Sequence, residues 1–237
     1  MDELGTILGV WAHPDDETYL TAGLMARAVR NGSRVVCITA TRGEGGSMDE
    51  EVWPPETMGE VRTAEMERSL QILGVSEHHW LDLPDIDMDT ALPEEGYEKV
   101  RALVEEVRPD TILTFGPEGM TGHEAHRSVS HWSTRALLEV GKPGSRVLYA
   151  TATPEWAEEF LPYWEPFEVF RPGTPPVTPR EELAVELNLP QDLLAIKVDA
   201  ILAHQSQVQA IFEAVGEEVW WREMSLEAFR LGAVKEG

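Results

Sequence analysis

Short apolar runs alternate with amphipathic stretches over the first two-thirds of the chain. Thr6–Ala12, Arg34–Ala40, His79–Leu83, Thr111–Phe115 and Arg146–Ala152 are each rich in Val, Ile, Leu or Thr. They are short, as buried parallel strands are. Leu20, Leu24 and Ala28 form a stripe at helical spacing between the first two runs. Val61, Met66, Leu70 and Leu73 form a looser stripe that ends at Gly74, a residue suited to the left-handed position that closes a helix. Tyr97, Val100, Leu103, Val104 and Val107 make a third, stopped by Pro109, and Val129, Trp132, Ala136 and Val140 a fourth. Such alternation implies right-handed strand–helix–strand units, hence an α/β fold with a mostly parallel sheet and helices on both faces. Ligands of such sheets bind beyond the carboxyl ends of the strands, so the loops after these runs are where chemistry is expected.

The 237 residues fit one domain, 1–237, with a core that needs no disulfides. Eight of the sixteen prolines fall between Pro154 and Pro190. This excludes long helices there and predicts an irregular segment over 153–190: a cap over the site, an arm toward a second subunit of a homo-oligomer, or a meandering connection. Helical patterning returns with Leu193, Ile196, Ala200, Ile201 and Ile211, so 191–237 reads as C-terminal helices. The formal charge is −24. A surface that negative repels phosphate backbones and anionic lipid, arguing against nucleic-acid and membrane partners. Cys37, the only cysteine, sits inside an apolar run and reads as a buried structural thiol, in keeping with a cytoplasmic protein. Met1–Leu4 lacks a basic leader and an apolar stretch, and no run approaches the ~20 residues that span a bilayer.

The first run ends in Ala12-His13-Pro14-Asp15-Asp16-Glu17, placing an imidazole and carboxylates where a helix begins. Asp15 or Asp16 could serve only as a helix cap, but a histidine three residues before Asp16 at a strand end favours a site. The fourth run ends in a glycine-rich loop and Gly122-His123-Glu124-Ala125-His126, whose two histidines share a helical face. Three of the seven histidines thus lie in two loops at one sheet edge. His13, Asp16 and His126 supply the two imidazoles and one carboxylate of a catalytic Zn²⁺ with an open position, and Fe²⁺ accepts the same set. Asp15 is then placed as base for the attacking water, and His123 to stabilise an oxyanion or protonate a leaving amine.

The Ala12–Glu17 signature and the Gly122–His126 segment resemble the PIG-L/LmbE-like family of zinc-dependent deacetylases, which hydrolyse N-acetyl groups of glucosamine-containing compounds. The family usually has Pro-Asp between its paired histidines; here Glu124-Ala125 stand there. Lesser matches are Thr41–Glu44, Arg62–Glu65, and Lys197–Ala200 leading to His204–Gln207. The resemblance implies a Rossmann-like fold, a small N-acylated amino-sugar substrate, zinc on His13, Asp16 and His126, and Asp15 and His123 as catalytic groups. It also puts Arg42, Glu44, Arg62, Asp85 and His204 near substrate. Arg62 and Glu65 read equally well as a solvated helix-face pair, Asp85 as a turn residue, and His204 as a helix-packing histidine. Trp53, before Pro54-Pro55, is a candidate lid residue.

Two other classes share features of this sequence. A non-haem iron oxygenase uses the same ligand types, although a base beside the ligands favours hydrolysis. A dinucleotide-binding protein shares the sheet, but no G-x-G-x-x-G follows the first strand, and a pyrophosphate would meet carboxylates.

Overall fold

The structure, a computed structural model, describes residues 4–237; the reading of the first three residues lies outside it. Five parallel strands, β1 (Ile7–Trp11), β2 (Val35–Thr41), β3 (Glu77–Leu83), β4 (Thr111–Phe115) and β5 (Arg146–Ala150), lie in the order β3-β2-β1-β4-β5. Every residue of β1, β2 and β4 is buried, because helices cover both faces. α1 (Asp16–Arg30), α2 (Met58–Leu73) and α6 (Gln191–Leu202) pack together, and α3 (Glu95–Val107) packs on α4 (Glu124–Val140). Gly74 closes α2 in the left-handed conformation, φ 75°, its N–H returning to Leu70 and Gln71. Cys37 is buried in β2 beside Met25.

Strand order reverses between β1 and β4: the chain winds outward from β1 through β2 to β3, then returns to place β4 on β1's other side. The crevice beyond their carboxyl ends is where this architecture binds ligands.

The C-terminal part departs from the sequence reading. The 191–237 segment holds α6, α7 (Gln205–Val215) and α8 (Glu217–Glu223), but also β7 (Leu226–Val234), which runs antiparallel to β5. Glu227 and Arg230 interrupt its apolar pattern, and the buried Glu227 is satisfied by Lys197 at 3.0 Å and by the Gly23 and Leu24 N–H groups of α1 at 2.8 Å each. The 153–190 segment is not irregular throughout. It holds α5 (Pro154–Trp164) and β6 (Leu183–Asn188), the latter pairing with β7 at the sheet edge. Pro154 occupies the first turn of α5, where a missing N–H is harmless, and Thr153 caps it by accepting from Trp156 N at 3.2 Å. Pro162 falls near its last residue. Trp164, Ile201, Val208, Ile211 and Trp220 form a second apolar cluster among α5–α8. No helix among the described residues is long and apolar enough to cross a membrane.

Candidate active site

β1 delivers His13 and Asp16, and the loop after β4 delivers His123 and His126, to one point of the crevice. Asp16 Oδ2 accepts from the backbone N–H groups of His13 (2.8 Å) and Ala12 (3.2 Å), which aims Oδ1 at His126 Nε2, 3.5 Å away. His126 Nδ1 donates to Gly119 O at 2.8 Å, and its ring stacks on Phe115 with centroids 4.0 Å apart. A nitrogen bonded to a carbonyl must carry the proton, so Nε2 presents its lone pair. Gly119 holds φ 77° to make this turn, and a Cβ there would sit 3.0 Å from His123 O and 3.2 Å from His126 Cβ. His13 Nε2 lies 3.4 Å from Asp85 Oδ1, leaving Nδ1 to face His126 Nε2 at 3.1 Å and Asp16 Oδ2 at 3.8 Å.

Two imidazole nitrogens 3.1 Å apart beside a carboxylate repel one another unless a proton or cation lies among them. Bonds of ~2.0–2.2 Å to a tetrahedral ion would set ligand atoms about 3.3–3.5 Å apart; the two imidazole nitrogens stand 3.1 Å apart, and Asp16 lies 3.5 Å from His126 through Oδ1 and 3.8 Å from His13 through Oδ2. The donor set therefore fits a small divalent cation. His123 also presents a nitrogen within 4.8 Å of the His13 and His126 nitrogens, so it is a further candidate for the same ion; Asp16 has the backbone bonds that fix it.

Asp15 stands at the N-cap position of α1 with φ 107°, and among the described residues its side chain makes no capping hydrogen bond. A strained non-glycine residue at a strand end is often a functional one. Its carboxylate meets the Arg62 guanidinium at 3.2 Å. Arg62, itself buried, also donates to Pro14 O (2.6 Å) and Gly43 O (3.2 Å), tying the loops after β1 and β2 together. Burial pushes the Asp15 carboxyl up to about 6 despite Arg62, and raises Asp16 as well despite His13. Burial opposes a charge on His13 too, but the Asp85 hydrogen bond and the charges of Asp16 and Asp85 outweigh it and raise its pKa. His123 falls to about 3 through burial and the neighbouring His126 and His13, and His126 falls far below the ordinary range for the same first reason. These groups line one cavity of about 380 Å³.

The family model described as GlcNAc-PI de-N-acetylase, PIG-L, matches residues 8–137, the stretch that carries all five of these groups. The chain belongs to the PIG-L family. A 1D-myo-inositol 2-acetamido-2-deoxy-alpha-D-glucopyranoside deacetylase of Kineococcus radiotolerans is 36% identical over 62% of this chain, which spans about half (48%) of that protein's length. A protein of the same name from Thermobifida fusca is 30% identical over 85% of this chain and 83% of its own. The N,N'-diacetylchitobiose deacetylase of Pyrococcus horikoshii superposes with a TM-score of 0.67 at 20% identity, covering 96% of this chain and 83% of that one, and so shares the fold.

This PIG-L family member brings His13, Asp15, Asp16, Arg62, Asp85, His123 and His126 to the cavity. Three residues read as substrate contacts lie elsewhere. Arg42 turns outward to Asp82 at 2.8 Å and lies 4.4 Å over the Trp80 ring. Glu44 is exposed, its carboxylate accepting from Arg42 N. His204 is wholly buried with Nε2 3.4 Å from Glu17 Oε1; the pair packs α1 against the start of α7. Trp53 does not line the cavity, whereas Met48 of the same loop does. Arg62 and Glu65 are not a surface pair, since Glu65 accepts from Ser206 N and Oγ at 2.7 Å each. The sequence reading missed Asp85 as the group that orients His13, and Arg62 as a clamp between loops. It also missed Glu223 and Glu227, which line the same cavity as Lys197, a residue read only as part of a lesser family match; charged residues inside helix and strand patterns carry no local sign of facing a cavity.

Proposed function

We propose that this chain is a metal-dependent amide hydrolase that removes the acyl group of an N-acylated amino sugar or its conjugate. The convergence of His13 Nδ1, Asp16 and His126 Nε2 within 3.1–3.8 Å carries the reading. These three residues would hold the ion, Zn²⁺ first by the chemistry of the set and Fe²⁺ second. Once bound, the cation supplies acidity to a water and polarisation to a carbonyl oxygen. Asp15 takes a proton from the attacking water and returns it to the leaving nitrogen, a role suited to a carboxyl lifted to about 6. Arg62 holds Asp15 in place. His123, kept neutral by burial, donates an N–H toward charge developing on the carbonyl oxygen. Asp85 fixes the tautomer of His13.

The relatives named above, both called deacetylases of an acetamido sugar, support this substrate class. Carboxylates at the start of α1 oppose the dinucleotide reading. The buried lone Cys37 is in keeping with a cytoplasmic setting. The test is acid release from N-acylated glucosamine derivatives before chelation, after it, and after re-addition of Zn²⁺ or Fe²⁺, with elemental analysis of the protein. Turnover should vanish on chelation and return with metal; full turnover in the metal-free protein would refute the reading.

A further inference from the structure

The two sides of the crevice differ in chemistry. Toward β2 and β3 the cavity is bounded by Gly45, Gly46, Arg62, Asp85 and Asp87, backbone amides and charged groups, with Met48 and Met88 of the same loops the only large apolar side chains among them. Toward β5 and β7 it is bounded by Trp156 and Trp164 of α5, Phe170 and Met224, and Ile211 of α7, whose Gln207 reaches back to Gly46 O at 2.8 Å, closes the chamber between the two sides. Tyr19, one helical turn beyond Asp16 on α1, joins this second wall, its ring 6.0 Å from that of Trp164. An acetyl group ends in one methyl and leaves such a wall largely unfilled.

An amide straddles the point where it is cut, its acyl carbon chain and its nitrogen substituent leaving in opposite directions. Asp15, which returns the proton to nitrogen, is bound to Arg62, and Arg62 is bound to Gly43 after β2. The nitrogen side of the substrate therefore faces β2 and β3, where polar groups suit a sugar. The acyl side faces β5 and β7. Resting on the hydrolase reading above, we propose that the acyl group removed is larger than acetyl, an apolar alkyl or aryl chain seated against Tyr19, Trp156, Trp164, Phe170, Ile211 and Met224. One water is consumed: its oxygen bonds to the acyl carbon, the C–N bond breaks, both of its protons end on nitrogen, and a carboxylate and an ammonium leave.

The charged groups of this wall do not oppose an apolar chain. Lys197 is paired with Glu227 at 3.0 Å, both wholly buried. Glu223 accepts from Trp164 Nε1 at 2.5 Å, and burial lifts its carboxyl to about 8, which disfavours a charge there.

The experiment compares two substrate series on the Zn²⁺-loaded wild-type protein. The first varies the acyl group of glucosamine: acetyl, hexanoyl, 4-phenylbutanoyl. The second keeps acetyl and varies the glycoside: methyl, hexyl, phenyl. Each methylene buried is worth up to about fourfold in kcat/KM, so hexanoyl should exceed acetyl by at least about tenfold, with the glycoside series nearly flat. In the chelated protein, 4-phenylbutyrate should quench tryptophan fluorescence, and Trp156→Phe should remove part of that quench. Ile211→Phe, which narrows the chamber, should lower the hexanoyl-to-acetyl ratio. Acetyl turnover with no acyl preference overturns this proposal and leaves the hydrolase reading standing. A rise confined to the glycosides overturns it by assigning the chamber to the nitrogen side. No turnover in either series removes both readings.

Discussion

Asp15 and Asp16 are neighbours with different surroundings, and this separates their roles. Asp16 is locked by two backbone N–H groups and faces His126, whereas Asp15 is held by Arg62 in a strained backbone conformation and has no ligand-like partner. Asp15→Asn keeps the shape but cannot take a proton. It should retain metal by elemental analysis while kcat drops about 10²–10⁴-fold; wild-type turnover would remove Asp15 from the mechanism. Asp85→Ala acts on the metal instead, by freeing the His13 ring. Loss of such an orienting partner typically weakens metal affinity about 10–100-fold, which competition against a chelating dye would read. The five residues at the reacting point were legible in the sequence because each sits within a few positions of another, in Ala12–Glu17 and Gly122–His126. Asp85 and Arg62 were legible only as neighbours of a site, since their partners His13, Pro14 and Gly43 come from distant parts of the chain. For Arg42, Glu44 and His204 the loop or helix was placed correctly but the side chain's direction was not, because direction depends on partners such as Asp82 and Glu17 that only the fold supplies.

At the level of elements, the loops after the strands carry the functional constraint. Gly43 has φ 68°, and a Cβ there would lie 2.2 Å from an Arg62 guanidinium nitrogen. Gly144 has a comparable φ of 82° with nothing within 4 Å. Gly144→Ala should therefore show backbone strain alone, about 1–2 kcal/mol, whereas Gly43→Ala should be less stable than that and should also lose activity by displacing the clamp on Asp15. Thermal denaturation with a parallel rate assay separates the two; equal losses at both positions would mean that Arg62 moves aside freely. The five parallel strands were readable because burial on both faces leaves continuous apolar runs. β7 was not, because Glu227 inside a strand is tolerable only with partners distant in the chain, Lys197 and the N–H groups of Gly23 and Leu24, a set no local pattern announces. α5 escaped notice because its prolines sit where a helix accepts them, at the first turn and near the end.

The whole molecule joins a sheet that builds the reacting point to a C-terminal helical cluster that walls the cavity, and Glu223 lies at that junction. Lys197 is the cation that lowers its pKa, yet Lys197 is already paired with Glu227, so burial prevails and the carboxyl rises from an ordinary 4.5 to about 8. The consequence for stability has a definite sign. A group whose folded pKa exceeds its unfolded value favours folding most below the unfolded pKa, and that contribution is lost as pH rises through the folded one. Glu223 should thus reduce the stability of the native state progressively between pH 4.5 and pH 8. Glu223→Gln keeps an acceptor for Trp164 Nε1 and does not titrate. Its melting temperature relative to wild type should rise between pH 5 and pH 8, by on the order of ten degrees at about 2–4 °C per kcal/mol for a chain of this size. A difference independent of pH would mean that Glu223 is ionised throughout, and the chamber it lines would then carry a buried negative charge that an apolar acyl chain could not share.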